Sequence, residues 1–185
     1  GCACRGAAGG AHVECMVEGA VHAHTPTRGF SWHKCALCDQ DFTGPMCMGL
    51  AVERVRRAQD LSESDQEYMI AQGMLGSVMH ENGQYVEAES VQRKVSALFL
   101  KYCGPEDLNT LGAQHNLANN LVDMHKYEEA IAIHRSNLRI CRRVLGLSHR
   151  QTLDTKAARA SSLDGNGQLD EAEKMYRTTL KTMKR

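Results

Sequence analysis

A step of 42 residues recurs through the chain after residue 65, and it limits the possible folds more than any other feature. Ala88, Ala130 and Ala172 are separated by it, as are Met79, Leu121 and Leu163. Tyr85, Tyr127 and Leu169 keep the same step, and so do Met69, Leu111 and Leu153. Gly104 and Gly146 pair in the same way. A fixed period of this length calls for stacked units that bury their apolar stripes against neighbours, not for one closed core. Within each unit the apolar spacing is helical, and a short polar turn divides it into two helices. Those turns are Glu81-Asn-Gly-Gln84, Asp123-Met-His-Lys126 and Asp164-Gly-Asn-Gly-Gln168. The expected fold is mainly α.

The units resemble tetratricopeptide repeats of the kinesin-light-chain subtype. The second carries His115-Asn-Leu-Ala-Asn-Asn-Leu121, Lys126-Tyr-Glu-Glu-Ala130, Val144-Leu-Gly-Leu-Ser-His149 and Thr152-Leu153. The first has Met74-Leu-Gly76 and Gln84-Tyr-Val-Glu-Ala88, and the third Gly167-Gln-Leu-Asp-Glu-Ala172. The resemblance implies an α-solenoid of three helix-turn-helix repeats over about residues 66–107, 108–149 and 150–185. Residues 46–65 would then be an unpaired bridging helix and linker. Arg159 stands where Leu75 and Leu117 stand, which marks the third unit as a terminal or degraded copy. Small residues are expected at close approaches: Gly76, Ala118 and Ala160 within a pair, and Ala88, Ala130 and Ala172 between pairs. In such arrays the first helix of each pair lines the concave face, where asparagines grip a ligand. Asn116 and Asn119 match those positions, and Asn120 follows. Ser77 and Ser161 stand at the position of Asn119, Lys156 and Arg159 add charge nearby, and Ala158 replaces a basic residue of the full carboxylate clamp.

The first 47 residues hold six of the eight cysteines beside a glycine-rich stretch poor in apolar residues. Such a segment needs a staple, and Cys-x-x-Cys lets two thiolates reach one zinc from a tight turn. Disulfides are the rival, but this spacing with no secretory signal reads as zinc. Cys47, Cys103 and Cys141 fall in helical stretches and are expected to be small buried apolar residues. The order Cys2, Cys4, His12, Cys15, Cys35, Cys38 resembles ligands three to eight of a RING-CH (RING-variant) zinc finger over residues 1–45. The resemblance implies a complete structural zinc site from Cys2, Cys4, Cys35 and Cys38. It makes His12 and Cys15 half of a second site, whose partners would precede residue 1 in a longer parent protein. A PHD finger shares the order, but gaps of one and seven residues after Cys2 and Cys4 favour RING-CH. Trp32, Ala36 and Asp39 depart from the usual pattern. His22, His24 and His33 are read as solvated loop residues.

The joint resemblance implies a RING-type ubiquitin ligase. Its finger would recruit a ubiquitin-conjugating enzyme without forming a covalent intermediate, and its repeats would choose a protein substrate. The chain given is expected to be inactive alone. The alternative is a non-catalytic zinc-finger adaptor or scaffold; a chromatin reader is disfavoured by ligand spacing and scarce aromatics. The 22 basic and 22 acidic side chains balance, so no overall field calls for nucleic acid. Residues 60–130 carry 12 acidic and 4 basic side chains, whereas 131–185 carry 12 basic and 5 acidic ones. That polarity can steer a charged partner. No apolar run reaches the roughly 18 residues of a membrane helix, and a cytoplasmic or nuclear location is expected. No nucleophile with a placeable base appears, so no catalytic residue is expected.

Overall fold

A computed structural model describes residues 44–183, and these residues are mainly α. They form seven helices: α1 (Pro45–Arg57), α2 (Gln66–Glu81), α3 (Tyr85–Cys103), α4 (Leu108–Asp123), α5 (Tyr127–Val144), α6 (Arg150–Gly165) and α7 (Leu169–Met183). The two compact units into which the chain divides meet between Gly83 and Gln84, inside the expected first repeat.

In the first unit α1 packs on α2. Pro45 opens α1 at a position whose N–H has no intrahelical partner in any case. The Arg54 guanidinium donates to both carboxylate oxygens of Glu67, at 2.8 and 3.0 Å, tying the two helices together. α1 thus packs on the first helix of the first expected repeat.

In the second unit each helix from α3 to α7 packs on the next, and α4 also touches α6. This is the nearest-neighbour stacking that a sequence period of one helical hairpin requires. Leu117, Ala118 and Leu121 of α4 form one core cluster with Ala130 of α5. Ile131 and Leu138 of α5, Ala160 and Leu163 of α6, and Ala172 and Met175 of α7 form another. The alanines at the close approaches are all buried. Ala130 shares a cluster with Ala118 of its own pair, and Ala172 shares one with Ala160 of its own pair and with Ile131 and Leu138 of the preceding pair. Their small methyl groups suit close helix packing.

Helix ends repeat as faithfully as the core. Asp65, Asp107 and His149, each 42 residues apart, cap α2, α4 and α6 by accepting a backbone N–H two residues on. At the opposite ends Gly83, His125 and Gly167 take positive φ of 77°, 59° and 77°. After α4, Lys126 N–H donates to the Leu121 carbonyl and His125 N–H to that of Val122; after α6, Gln168 and Gly167 repeat this with Leu163 and Asp164. These paired bonds reverse the chain within two residues and set the antiparallel hairpin. Asp164-Gly-Asn-Gly-Gln168 is accounted for as such a turn.

Cys47 and Cys141 are buried, as expected of small apolar residues, but Cys103 is exposed. It is the last residue of α3, beyond the covered stripe and just before Gly104, where the chain leaves the helix at φ 84°.

Candidate functional site

Asp107 fixes the start of α4 by accepting from the N–H groups of Asn109 and Thr110, at 2.9 and 3.1 Å. From there the helical rise places the three asparagines in different environments. Asn116 is exposed and Asn119 half-buried, whereas Asn120 is completely buried. Asn120 donates its side-chain N–H to the backbone carbonyl of Tyr85 on α3, at 2.8 Å. Its amide ties α4 to the preceding helix, and its position in the core gives a ligand no access. Asn116 and Asn119 remain as the accessible pair.

Beside Asn119 lies His115, whose Nε2 is 3.1 Å from the Asn119 side-chain nitrogen. With the amide donating, that ring nitrogen accepts, and the carbonyl oxygen of Asn119 is left for a ligand's donor. The His115 ring meets His134 of α5 edge to face, with centroids 5.3 Å apart. Burial pushes His115 below the usual histidine range, while the charge of Asp154 opposes that shift. Burial lowers the His134 pKa as well, so both histidines are neutral near pH 7. His134 was not legible as a neighbour of this site, because a polar residue at a stripe position of a helix gives no sign of what faces it.

The other sequence-identified residues scatter. Ser77 donates to the Gly73 carbonyl of its own helix at 3.1 Å, and Ser161 is exposed on α6. Arg159 is ion-paired with Glu171 of α7 at 2.6 Å, so it secures the third pair. Lys156 is half-buried, and burial, aided by the charge of Arg142, lowers its pKa. Cys2, Cys4, His12, Cys15, Cys35 and Cys38, with His22, His24, His33, Trp32, Ala36 and Asp39, lie outside the described residues. Among the described residues no cluster of three histidine, cysteine or acidic side chains could hold a metal, and no helix is long and apolar enough to cross a membrane.

A match to one protein family supports the repeat assignment over part of the chain. Residues 110–185 match the family described as Tetratricopeptide repeat. Two solved structures of nearly identical TPR-like repeats, from a Podosopora anserina protein of kinesin-light-chain type, are similar to the chain; one of them carries a single substitution. Each is 17% identical, with TM-score 0.47, and the match covers 73% of this chain and 84% of that one. No curated protein sequence matches. Residues 110–185 are thus similar to tetratricopeptide repeats, a fold that suggests binding of protein ligands.

Proposed function

We propose that the chain is a protein-interaction adaptor whose repeats hold a peptide segment of a partner along α4. The observation that carries this reading is the stack of paired helices over residues matched to the tetratricopeptide family. Asn116 and Asn119 are its contact residues: one is exposed, and the other keeps a free carbonyl oxygen beside a neutral histidine. Amide side chains serve this purpose because they both donate to and accept from a peptide backbone. Asn120 has no part in it.

The finger adds a zinc-binding module to this reading. Its quartet of Cys2, Cys4, Cys35 and Cys38 is what the RING-CH resemblance implies, and four thiolates suit a tetrahedral zinc. The adaptor reading is preferred to the ubiquitin ligase because it draws on the repeats, whereas the ligase draws entirely on the finger. Capture of proteins from cell extract by the chain and by Asn116→Ala/Asn119→Ala tests the groove. The double variant is expected to weaken capture by roughly 1–3 kcal/mol, the cost of unpaired polar groups at a contact. An unchanged set and amount of bound proteins would remove α4 as the contact surface. Transfer of ubiquitin by the chain with a panel of conjugating enzymes would favour the ligase instead.

A further inference from the structure

One face of α5 carries more positive charge than the fold neutralises. Arg135, Leu138, Arg139, Arg142 and Arg143 of α5, together with Arg159 of α6, line an open hollow of about 450 Å³. Arg143 is paired with Glu106 at 2.7 Å and Arg159 with Glu171 at 2.6 Å. Among the described residues no carboxylate pairs with Arg135, Arg139 or Arg142, and all three are exposed. The Nε–H of Arg159 is buried without an acceptor. Lys156, close enough to feel the charge of Arg142, adds a further cation.

The sequence period shows how this excess arises. One period before Arg135 stands Arg93, whose guanidinium is held by Glu89 at 2.8 Å and by Glu129 of the next hairpin at 2.7 Å. At the α5 level the counterpart of Glu89 is Ile131, so one carboxylate is gone. The counterpart of Glu129 is Glu171, and it is taken by Arg159, which replaces the buried Leu117 of the preceding unit. Two departures from the repeat thus leave Arg135 without an acid, and one of them brings a further arginine. Ile131 adds to the core and Arg159 secures α7 through Glu171, and the outcome on the surface is a run of arginines that no carboxylate among the described residues neutralises.

We propose that this arginine stripe is a second docking site, for an extended acidic segment of a partner protein. Arg135, Arg139 and Arg142 lie at i, i+4 and i+7, so they span about 10 Å of helix. An extended strand rises about 3.3 Å per residue, so roughly four residues run the length of the stripe. The guanidinium fork takes carboxylates in bidentate pairs. A single phosphate would need the forks to converge on one point, whereas these are distributed along a line. The site is separate from the α4 asparagines and does not depend on them.

The test is fluorescence anisotropy of a labelled peptide of alternating Asp and Glu, about eight residues long, with an amide-substituted Asn/Gln peptide as control. The full chain is expected to bind the acidic peptide, more weakly as salt rises. Arg135→Gln/Arg139→Gln/Arg142→Gln should weaken binding at least about tenfold. Arg150→Gln/Lys174→Gln/Arg177→Gln removes the same charge from exposed positions elsewhere and should change it less than about twofold. Asn116→Ala/Asn119→Ala should bind the acidic peptide like the wild type, so failure of the groove and failure of the stripe are distinguishable. If the triple variant loses helical signal, Arg139→Gln alone is measured, with a loss of at least about threefold expected. Equal losses in both triple variants, or no binding of the acidic peptide, would overturn the proposal. Tighter binding of a singly phosphorylated neutral peptide would overturn it in favour of phosphate recognition.

Discussion

His134 occupies the position that Gln92 and Tyr176 occupy one period to either side. It is completely buried, and neither ring nitrogen has a hydrogen-bond partner among the described residues. Burial, with a contribution from the neighbouring His115, pushes its pKa down from 6.5 to about 3. In the unfolded chain the same ring takes a proton near pH 6.5. Below that pH the unfolded state binds more protons than the native one, so stability is fully present above about 6.5 and falls as pH drops towards 3. The slope reaches up to about 1.4 kcal/mol per pH unit for one histidine, and the lowered His115 acts in the same direction. Urea denaturation followed by helical signal is expected to show an earlier midpoint at pH 5 than at pH 7. His134→Leu fills a similar volume without dehydrated nitrogens, so it should flatten that dependence and raise stability at pH 7 by about 1 kcal/mol. An unaltered acid response in the variant would place its origin elsewhere.

Among elements, the helix termini show how one repeat copy diverges from another. Asp107 accepts two N–H groups and its negative charge suits the positive end of α4, whereas His149 offers α6 only a ring nitrogen at 3.2 Å. Asp107→Ala should therefore cost about 1 kcal/mol, and His149→Asp should gain roughly 0.5 kcal/mol. Thermal unfolding of the two variants checks both signs; a destabilised His149→Asp would mean that the imidazole makes a contact more valuable than the cap. At the opposite ends, His125 holds a conformation that glycine takes at Gly83 and Gly167. Its Nδ1 lies 2.7 Å from the Tyr127 hydroxyl, a local bond that favours the turn in the absence of glycine. Gly165 is small for a different reason: a methyl group there would meet the Tyr127 ring at 2.5 Å.

For the molecule as a whole, the repeats and the proposed finger would draw on different sources of stability. The described helices bury alanine and leucine against their neighbours and hold no cluster of three metal ligands. Residues 1–43 have few large apolar side chains, and the proposed zinc would supply much of their folding free energy. Purified chain is expected to carry about one equivalent of zinc, lost in Cys35→Ala/Cys38→Ala, and a chelator should leave most helical signal in place. Unchanged zinc in the variant would remove the assigned quartet. Collapse of the whole helical signal on chelation would show that the helices depend on the metal too.

How far a residue's fate can be read from the chain depends on whether it is set locally or by a neighbour. The 42-residue step, the helical spacing and the polar turns determined the hairpins, because capping and stripe formation need only residues close in sequence. The alternation of Asp65, Asp107 and His149 with Gly83, His125 and Gly167 lies entirely within reach of such reasoning. Burial of a single polar residue does not. Asn116, Asn119 and Asn120 are chemically identical and close together on one helix, and only the Tyr85 carbonyl on α3 decided that Asn120 belongs to the core. Arg159 could be recognised as a departure from leucine, but its capture of Glu171, which leaves Arg135 without an acid, required three helices to be in place. Period and chemistry are written along the chain; which charges meet and which stay unpaired is a property of the packed surfaces alone.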